Sequence, residues 1–243
     1  MKLLALLAMS GLLGCGGDSS NAPDAMSADA ALDAPLPTGN ALTHTLYINT
    51  EGVTLSPGMD DATMDKSTVT DAPVTVKPWL AGETDRATRI ADFVAEVRAE
   101  VADYNVSVVD ARPTTGSYHM LVVTDSTSQE AGLAATGGIL PVNCQRRSAV
   151  VSMLFGAYYK QYAAITVRNL LATYAVAMFG QLSGIPFSKK PEDCMCYPGP
   201  QCTNSHGACT VGGAGTPIAD NDCHGGVTMD ERALFLAAFG PHP

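Results

Sequence analysis

The chain has 243 residues in which 24 Asp and Glu face 14 Lys and Arg, a net charge of −10 at neutral pH. That balance excludes an ordinary nucleic-acid binder, since such binding relies on a basic surface that displaces counterions from phosphate. Hydrophobic residues make up 46% and charged ones 16%, against about 25% charged in soluble domains at large, so global disorder is excluded as well. The length suits one domain of about 200 residues or two small ones.

Lys2 precedes an apolar run from Leu3 to Met9, and Gly11-Leu12-Leu13-Gly14-Cys15 follows. A cationic start, a short apolar stretch and a small-residue cleavage point make residues 1–14 a secretory signal, too short to cross a bilayer. A cysteine directly after Leu-Leu-Gly resembles the lipobox of bacterial lipoproteins. The resemblance implies that the Cys15 thiol carries a lipid and becomes the mature N-terminus, and Gly16 in place of Asp implies sorting to the outer membrane. An ordinary signal peptide with an incidental cysteine is the alternative. Residues 16–43 are rich in Ala, Asp, Ser and Pro and contain no Lys or Arg. They have too little to bury to offset their ordering entropy, and repulsion among Asp18, Asp24, Asp29 and Asp33 extends them. Residues 15–43 therefore read as a lipidated, flexible tether and 44–243 as the folded domain.

In that domain Leu46-Tyr47-Ile48-Asn49 alternates as a strand, and Ser56-Pro57-Gly58 is turn chemistry. Asp85 is a candidate N-cap for a helix reaching Tyr104, because Ile90, Phe93, Val94, Val97 and Val101 recur at helical spacing while Arg86, Arg89, Glu96 and Arg98 fall mainly on the other side. Val106 and Val108 form a short strand that ends before Arg112-Pro113. Tyr118 to Thr124 and Ser148 to Phe155 are apolar runs suited to central strands. Between them, residues 124–147 carry two glycine turns and Cys144 and read as a surface or sheet-edge segment. Residues 161–183 are apolar nearly all round, with one polar stripe of Thr166, Asn169 and Thr173. Arg168 and Asn169 near the middle make a membrane span costly, so a buried helix is predicted. Thr228 and Glu231 have capping-box spacing, Leu234, Phe235 and Phe239 give the next helix an apolar face, and Gly240-Pro241 stops it. No repeat of 20–50 residues occurs. The order predicts an α/β sandwich: a twisted mixed sheet with a buried central helix, a disulfide-rich loop region and a C-terminal helix.

The stretches HTLYINTEGVTLSPGMDDATMDKSTV, VADYNVSVVDARP, YHMLVVTDS and ILPVNC together resemble secreted myxobacterial-type lipoproteins with a zincin-like, metzincin-type metallopeptidase fold, over about residues 44–243. In that family the buried helix carries His-Glu-x-x-His-x-x-Gly-x-x-His: two His at i and i+4 hold zinc on one helical face, the Glu activates water, and the Gly lets the chain turn so that a third His closes the site. With Gly180 on the motif's glycine, Thr173 and Ala177 take the first two His positions, Tyr174 the Glu position and Ser183 the third His. Hydroxyls do not replace imidazoles on zinc, and Ala177 has no donor. The motif reads as degenerate, with no catalytic residue, metal or other cofactor expected. Asp193-Cys194-Met195-Cys196-Tyr197 resembles the methionine turn beneath such sites through Met195 and Tyr197. Ordinary core packing is the other reading of Met195.

The other chemistry-bearing residues rebuild no site. His44, His119, His206, His224 and His242 read as surface or satisfied histidines, Ser152 and Ser183 lack a nucleophile-elbow context, and the glycine-rich 211–215 lacks the Lys of a phosphate loop. Apart from Cys15 there are six cysteines, Cys144, Cys194, Cys196, Cys202, Cys209 and Cys223. An even number in an exported chain predicts three disulfides, with 15 pairings open. A zinc knot of Cys194, Cys196, Cys202 and Cys209 with His206 or His224 is the alternative, although the spacings do not follow the usual paired arrangement. The expected function is a membrane-anchored envelope lipoprotein whose inactive peptidase-like domain binds an extracellular peptide, glycan or protein. The alternatives are a zinc peptidase with non-standard ligands and a purely structural or adhesive lipoprotein.

Overall fold

The structure, a computed structural model, describes residues 44–141, 148–160, 162, 164–196, 209–219 and 226–243. The signal and tether expected over 1–43, with Cys15, lie outside the described residues, as do Cys144, Tyr197, Cys202, His206, Cys223, His224 and the side chain of Thr166.

In chain order the first half contains β1 (Thr45–Asn49), β2 (Val53–Pro57), β3 (Lys66–Ser67), β4 (Val74–Val76), the helix α1 (Arg86–Glu100), β5 (Ser107–Val109) and β6 (His119–Thr124). The second half contains β7 (Gly138–Ile139), β8 (Val151–Phe155), a short 3-10 turn (Gly156–Tyr159), α2 (Ala164–Leu182), β9 (Thr216–Pro217), β10 (Thr228–Met229) and α3 (Glu231–Phe239). The predicted mixed α/β organisation is present. A five-stranded sheet has the order β5-β1-β6-β8-β7; β5, β1, β6 and β8 run parallel, and only the edge strand β7 is antiparallel.

Strand periodicity divides the core in two. Leu46, Ile48, Leu121, Val123 and Leu154 pack with α1, α2 and α3 on one face of the sheet. Tyr47, Met120, Val122, Val151, Met153 and Phe155 face the other way, onto Leu55, Val74 and Val76 of a small sheet ordered β3-β2-β4. Covering both faces explains why β6 and β8 are buried along their whole length and read as continuous apolar runs. Each of the large apolar side chains in these strands contributes about 1.5–3 kcal/mol by leaving water. Arg112, just past β5, donates to the Ala62 carbonyl at 3.0 Å and pairs with Asp65, tying the two sheets together.

The structure departs from the sequence expectations at three places. The turn expected at Ser56-Pro57-Gly58 begins two residues later, because Ser56 and Pro57 continue β2 beside Lys66 and Ser67. The first helix ends at Glu100, with Asp85 at its N-cap making no side-chain cap bond; Tyr104 instead stacks on Phe235, ring centroids 4.9 Å apart. The cap of the last helix is Asp230 and not Thr228: Thr228 and Met229 pair with β9, so the first non-helical residue after the ribbon is Asp230, whose carboxylate accepts the Ala233 N–H at 3.0 Å. No helix among the described residues is long and apolar enough to cross a membrane.

Candidate functional site

The helix α2 follows β8 after the short 3-10 turn and lies on the sheet against α1, so its residues meet side chains on nearly every side. From Leu170 to Phe179 each one is buried. Its one charged residue, Arg168, reaches Glu96 at 3.8 Å and Asn169 at 3.1 Å, which accounts for a cation in the middle of an apolar segment.

Backbone geometry decides where the chain turns. Gly180 is inside the helix, and its lack of a Cβ serves a close approach: a methyl there would run into the Met195 sulfur, with Met195 Cε at 3.0 Å and Phe235 Cζ at 3.3 Å. The reversal occurs at Gly184, with φ +88. Its N–H bonds the Gln181 carbonyl at 2.9 Å, and the Ile185 N–H bonds the Gly180 carbonyl at 3.0 Å, the two bonds of a Schellman ending.

The four positions singled out in the sequence are core positions. Thr173 is buried with no partner for its hydroxyl among the described residues. Tyr174 is buried, and loss of solvation pushes its phenol up to about 12. Ala177 is buried, and the buried Ser183 hydroxyl donates to the Phe179 carbonyl at 2.9 Å. When the motif is counted from Gly184, the residue that makes the turn, its ligand positions fall on Ala177, Gln181 and Phe187 and its Glu position on Met178. Met178 closes this place. Its methyl stands 2.8 Å from where a Cβ of Gly138 would be, beside a Leu154 methyl at 2.9 Å, so thioether and aliphatic carbon fill the space between α2 and β7. Only the side-chain amide of Gln181 offers an oxygen there, and that oxygen is buried without a partner. One amide oxygen, one thioether and a methyl do not fit a zinc ion, which takes three or four Cys, His or carboxylate donors. Among the described residues no three His, Cys, Asp or Glu form a group able to hold a metal.

The described histidines are not drawn together. His119 is fully buried at the start of β6, accepts the Val150 N–H at 3.3 Å through Nδ1 and packs edge-on to Phe179; burial drives its pKa down to about 3. His44 packs edge-on to Phe239, which stacks on the Phe179 ring that His119 meets, and His242 contacts the chain terminus. Ser152 is buried within β8.

A disulfide joins Cys194 to Cys209, and Cys196 is also disulfide-bonded. The zinc-knot arrangement thereby loses three of its four thiolates. Met195 lies between them, fully buried beneath Gly180; its N–H is held by the Asp193 carboxylate at 2.9 Å and its carbonyl by the Ser188 N–H at 2.6 Å. It is a turn residue and a core residue at once.

The sequence reading did not single out an aromatic ledge beside β7. Tyr158 and Tyr162 are exposed, Tyr158 packs edge-on to Tyr159, and Tyr159 leads inward to Tyr174 at 5.6 Å. Gly137 lies directly over the Tyr158 and Tyr159 rings. The signal for it was the Tyr158-Tyr159 pair followed by Tyr162, and for the turn it was Ser183-Gly184 at the end of an apolar helix. Comparison of the chain with protein-family models finds no match, and none is found among curated proteins or solved structures.

Proposed function

We propose that this chain is a bacterial envelope lipoprotein, held to the outer membrane through a lipid on Cys15, whose folded part is a zincin-like domain without catalysis that binds an extracellular peptide or glycan. The observation that carries the reading is the position of α2. It follows the last parallel strand of a sheet whose edge strand runs antiparallel, it rests through Gly180 on the buried Met195 and ends in a turn at Gly184, and where a metallopeptidase needs imidazoles and a carboxylate it offers Ala177, Met178, Gln181 and Phe187. Sheet order and the Met195 contact favour a zincin-like ancestry; the side chains remove its chemistry. The binding role is supported by what borders the filled cleft. The edge strand β7 can add an extended segment through its backbone, and exposed Tyr158 and Tyr162 offer flat apolar faces with polar tips, suited to a sugar ring or a peptide.

The test combines four measurements on the full-length protein, with the thermal midpoint as a control. Metal content without chelators and cleavage of an unstructured polypeptide are expected to be nil. Tyr158→Ala with Tyr162→Ala is expected to abolish retention on isolated cell-wall glycan or on a peptide library while leaving the thermal midpoint within a few degrees of the parent. Cys15→Ser is expected to move the protein from the membrane to the soluble fraction. About one zinc per chain with chelator-sensitive proteolysis would replace the proposal by a peptidase with non-standard ligands; retention unchanged by the tyrosine substitutions would leave a structural lipoprotein.

A further inference from the structure

The region next to the disulfide buries two acids that the cleft does not use. Asp193 and Glu231 are both fully buried, and three of their oxygens, Asp193 Oδ2 and both of Glu231, have no hydrogen-bond partner among the described residues. They converge on one spot. The position a Cβ of Gly212 would take has Asp193 Oδ2 at 2.5 Å, Glu231 Oε2 at 3.2 Å and the Thr216 hydroxyl in contact. The glycine is required there because any side chain would displace one of the carboxyls.

The donors around this spot are already engaged or outside it. The Thr216 hydroxyl gives its only hydrogen to the Gly213 carbonyl at 2.8 Å, and the Gly212 N–H lies near enough to act on Glu231 without meeting hydrogen-bond geometry. The other Asp193 oxygen is taken by the Met195 N–H. Of the charged groups on the packed elements, Lys190 acts on Glu231 from an exposed position, Arg232 is turned to Asp103 at 3.5 Å, and Asp230 caps α3 with its own carboxylate. Two bare carboxylates cannot share a dry site, and one proton between them removes the repulsion and pairs two of the three unpartnered oxygens. A calcium ion takes six to eight oxygens, whereas two carboxyls and one hydroxyl converge here and no third His, Cys, Asp or Glu joins them among the described residues.

We propose that Asp193 and Glu231 share one proton at neutral pH, and that this acid–carboxylate pair is a pH-sensitive latch tying the C-terminal helix to the disulfide turn. Loss of the proton to alkaline solvent leaves two like charges in contact and releases α3 from the turn. Burial and the neighbouring Asp193 hold Glu231 far above the usual carboxylate range, in keeping with this. Because Asp193 directly precedes Cys194 and Met195, release also loosens the methionine that supports Gly180.

The experiment is urea unfolding of the full-length protein from pH 6.5 to 9.5, all in a Glu100→Gln background, because Glu100 is a separate buried acid. The native pair holds one proton that the unfolded chain lacks, so the unfolding constant of the parent should rise about tenfold per pH unit across this window. Glu231→Gln keeps an N–H donor to Asp193 and should flatten that rise, whereas Asp193→Asn removes the neighbouring charge but not the burial and should end the rise at a lower pH. An infrared band of a protonated carboxylic acid should be present in the parent at pH 7 and absent from Glu231→Gln. Should one variant not fold, the other and the parent's infrared band still decide. An unchanged pH slope in folded Glu231→Gln, a rise in Asp193→Asn that ends at the same pH as in the parent, or no acid band in the parent overturns the latch. So does saturable stabilisation by added calcium that Glu231→Gln abolishes, which would make the pair a cation site.

Discussion

Gly180 and Met195 offer a quantitative test of how the central helix is supported. Alanine at a helix interior position is favoured over glycine by about 1 kcal/mol, so Gly180→Ala would be stabilising on propensity alone. The structure opposes this: the new methyl would overlap the Met195 sulfur and crowd Met195 Cε at 3.0 Å and Phe235 Cζ at 3.3 Å, all within a fully buried cluster. Overpacking of that kind costs about 1–3 kcal/mol, so the net change should be a loss of about 1 kcal/mol. Met195→Ala alone should cost about 3 kcal/mol through the cavity it leaves. In that background both Met195 clashes are gone and only the Phe235 Cζ contact at 3.3 Å remains, which the ring can relieve by moving a few tenths of an ångström into the cavity, so the propensity gain dominates and Gly180→Ala should stabilise by about 1 kcal/mol. The coupling between the two sites is then about 2 kcal/mol, inside the range for residues in contact. Urea unfolding of the parent, both single variants and the double variant gives all four corners of the cycle. If Gly180→Ala has the same effect with and without Met195, the contact does not explain the glycine, and the reasoning fails.

Three further outcomes are expected. Glu100 is buried at the end of α1, and burial, with a smaller effect of Glu96, raises its carboxyl to about 8 while its Oε1 accepts the Cys209 N–H at 3.4 Å. Its folded-state value lies above the unfolded one of 4.5, so its protonation favours folding at low pH and stability is lost as pH rises from about 4.5 to 8; Glu100→Gln should therefore gain on the order of 2 kcal/mol at pH 8 and little at pH 5, read from urea midpoints at both values. Replacing Cys194 and Cys209 together by Ala opens a link of sequence separation 15 and should cost about 3 kcal/mol, seen as a lower thermal midpoint; an unchanged midpoint means that the turn is ordered without it. Gly184→Ala places a side chain at φ +88 and should cost about 1–2 kcal/mol, whereas Gly213→Ala, with open space around it, serves as the control.

Elements whose two faces differ, or whose burial is complete, could be read from the residue pattern. β1, β6, β8 and the three helices fall where alternation or helical spacing puts them, since Leu46, Phe93, Leu121 and Phe235 each sit in a run with one period. The short strands escaped because two or three residues carry no period: β7 is only Gly138 and Ile139, and β3 only Lys66 and Ser67. Their pairing is set by partners far along the chain. The last helix start was displaced for the same reason, Thr228 being claimed by a ribbon with Pro217. At the candidate site, the absence of imidazoles on the helix was plain in the sequence. The turn at Gly184 was not distinguished from Gly180, because spacing alone does not tell a glycine that turns the backbone from one that admits a neighbour. Met178 over Gly138, and Asp193 against Glu231, are meetings of residues about 40 apart and could be seen only in three dimensions.

The place of β1 in the sheet has a mechanical meaning. It lies between β5 and β6 with both neighbours parallel, and its first residues follow His44, whose carbonyl takes the Ser107 N–H at 2.7 Å and whose ring rests on Phe239. A pull arriving through the preceding residues runs along the axis of a central strand. Its two ladders are then loaded in shear, many bonds at once, where a hairpin at a sheet edge would unzip bond by bond. Forced unfolding is governed by the rate of crossing that barrier, so a leash attached ahead of His44 would tug on the part of the domain best able to resist it.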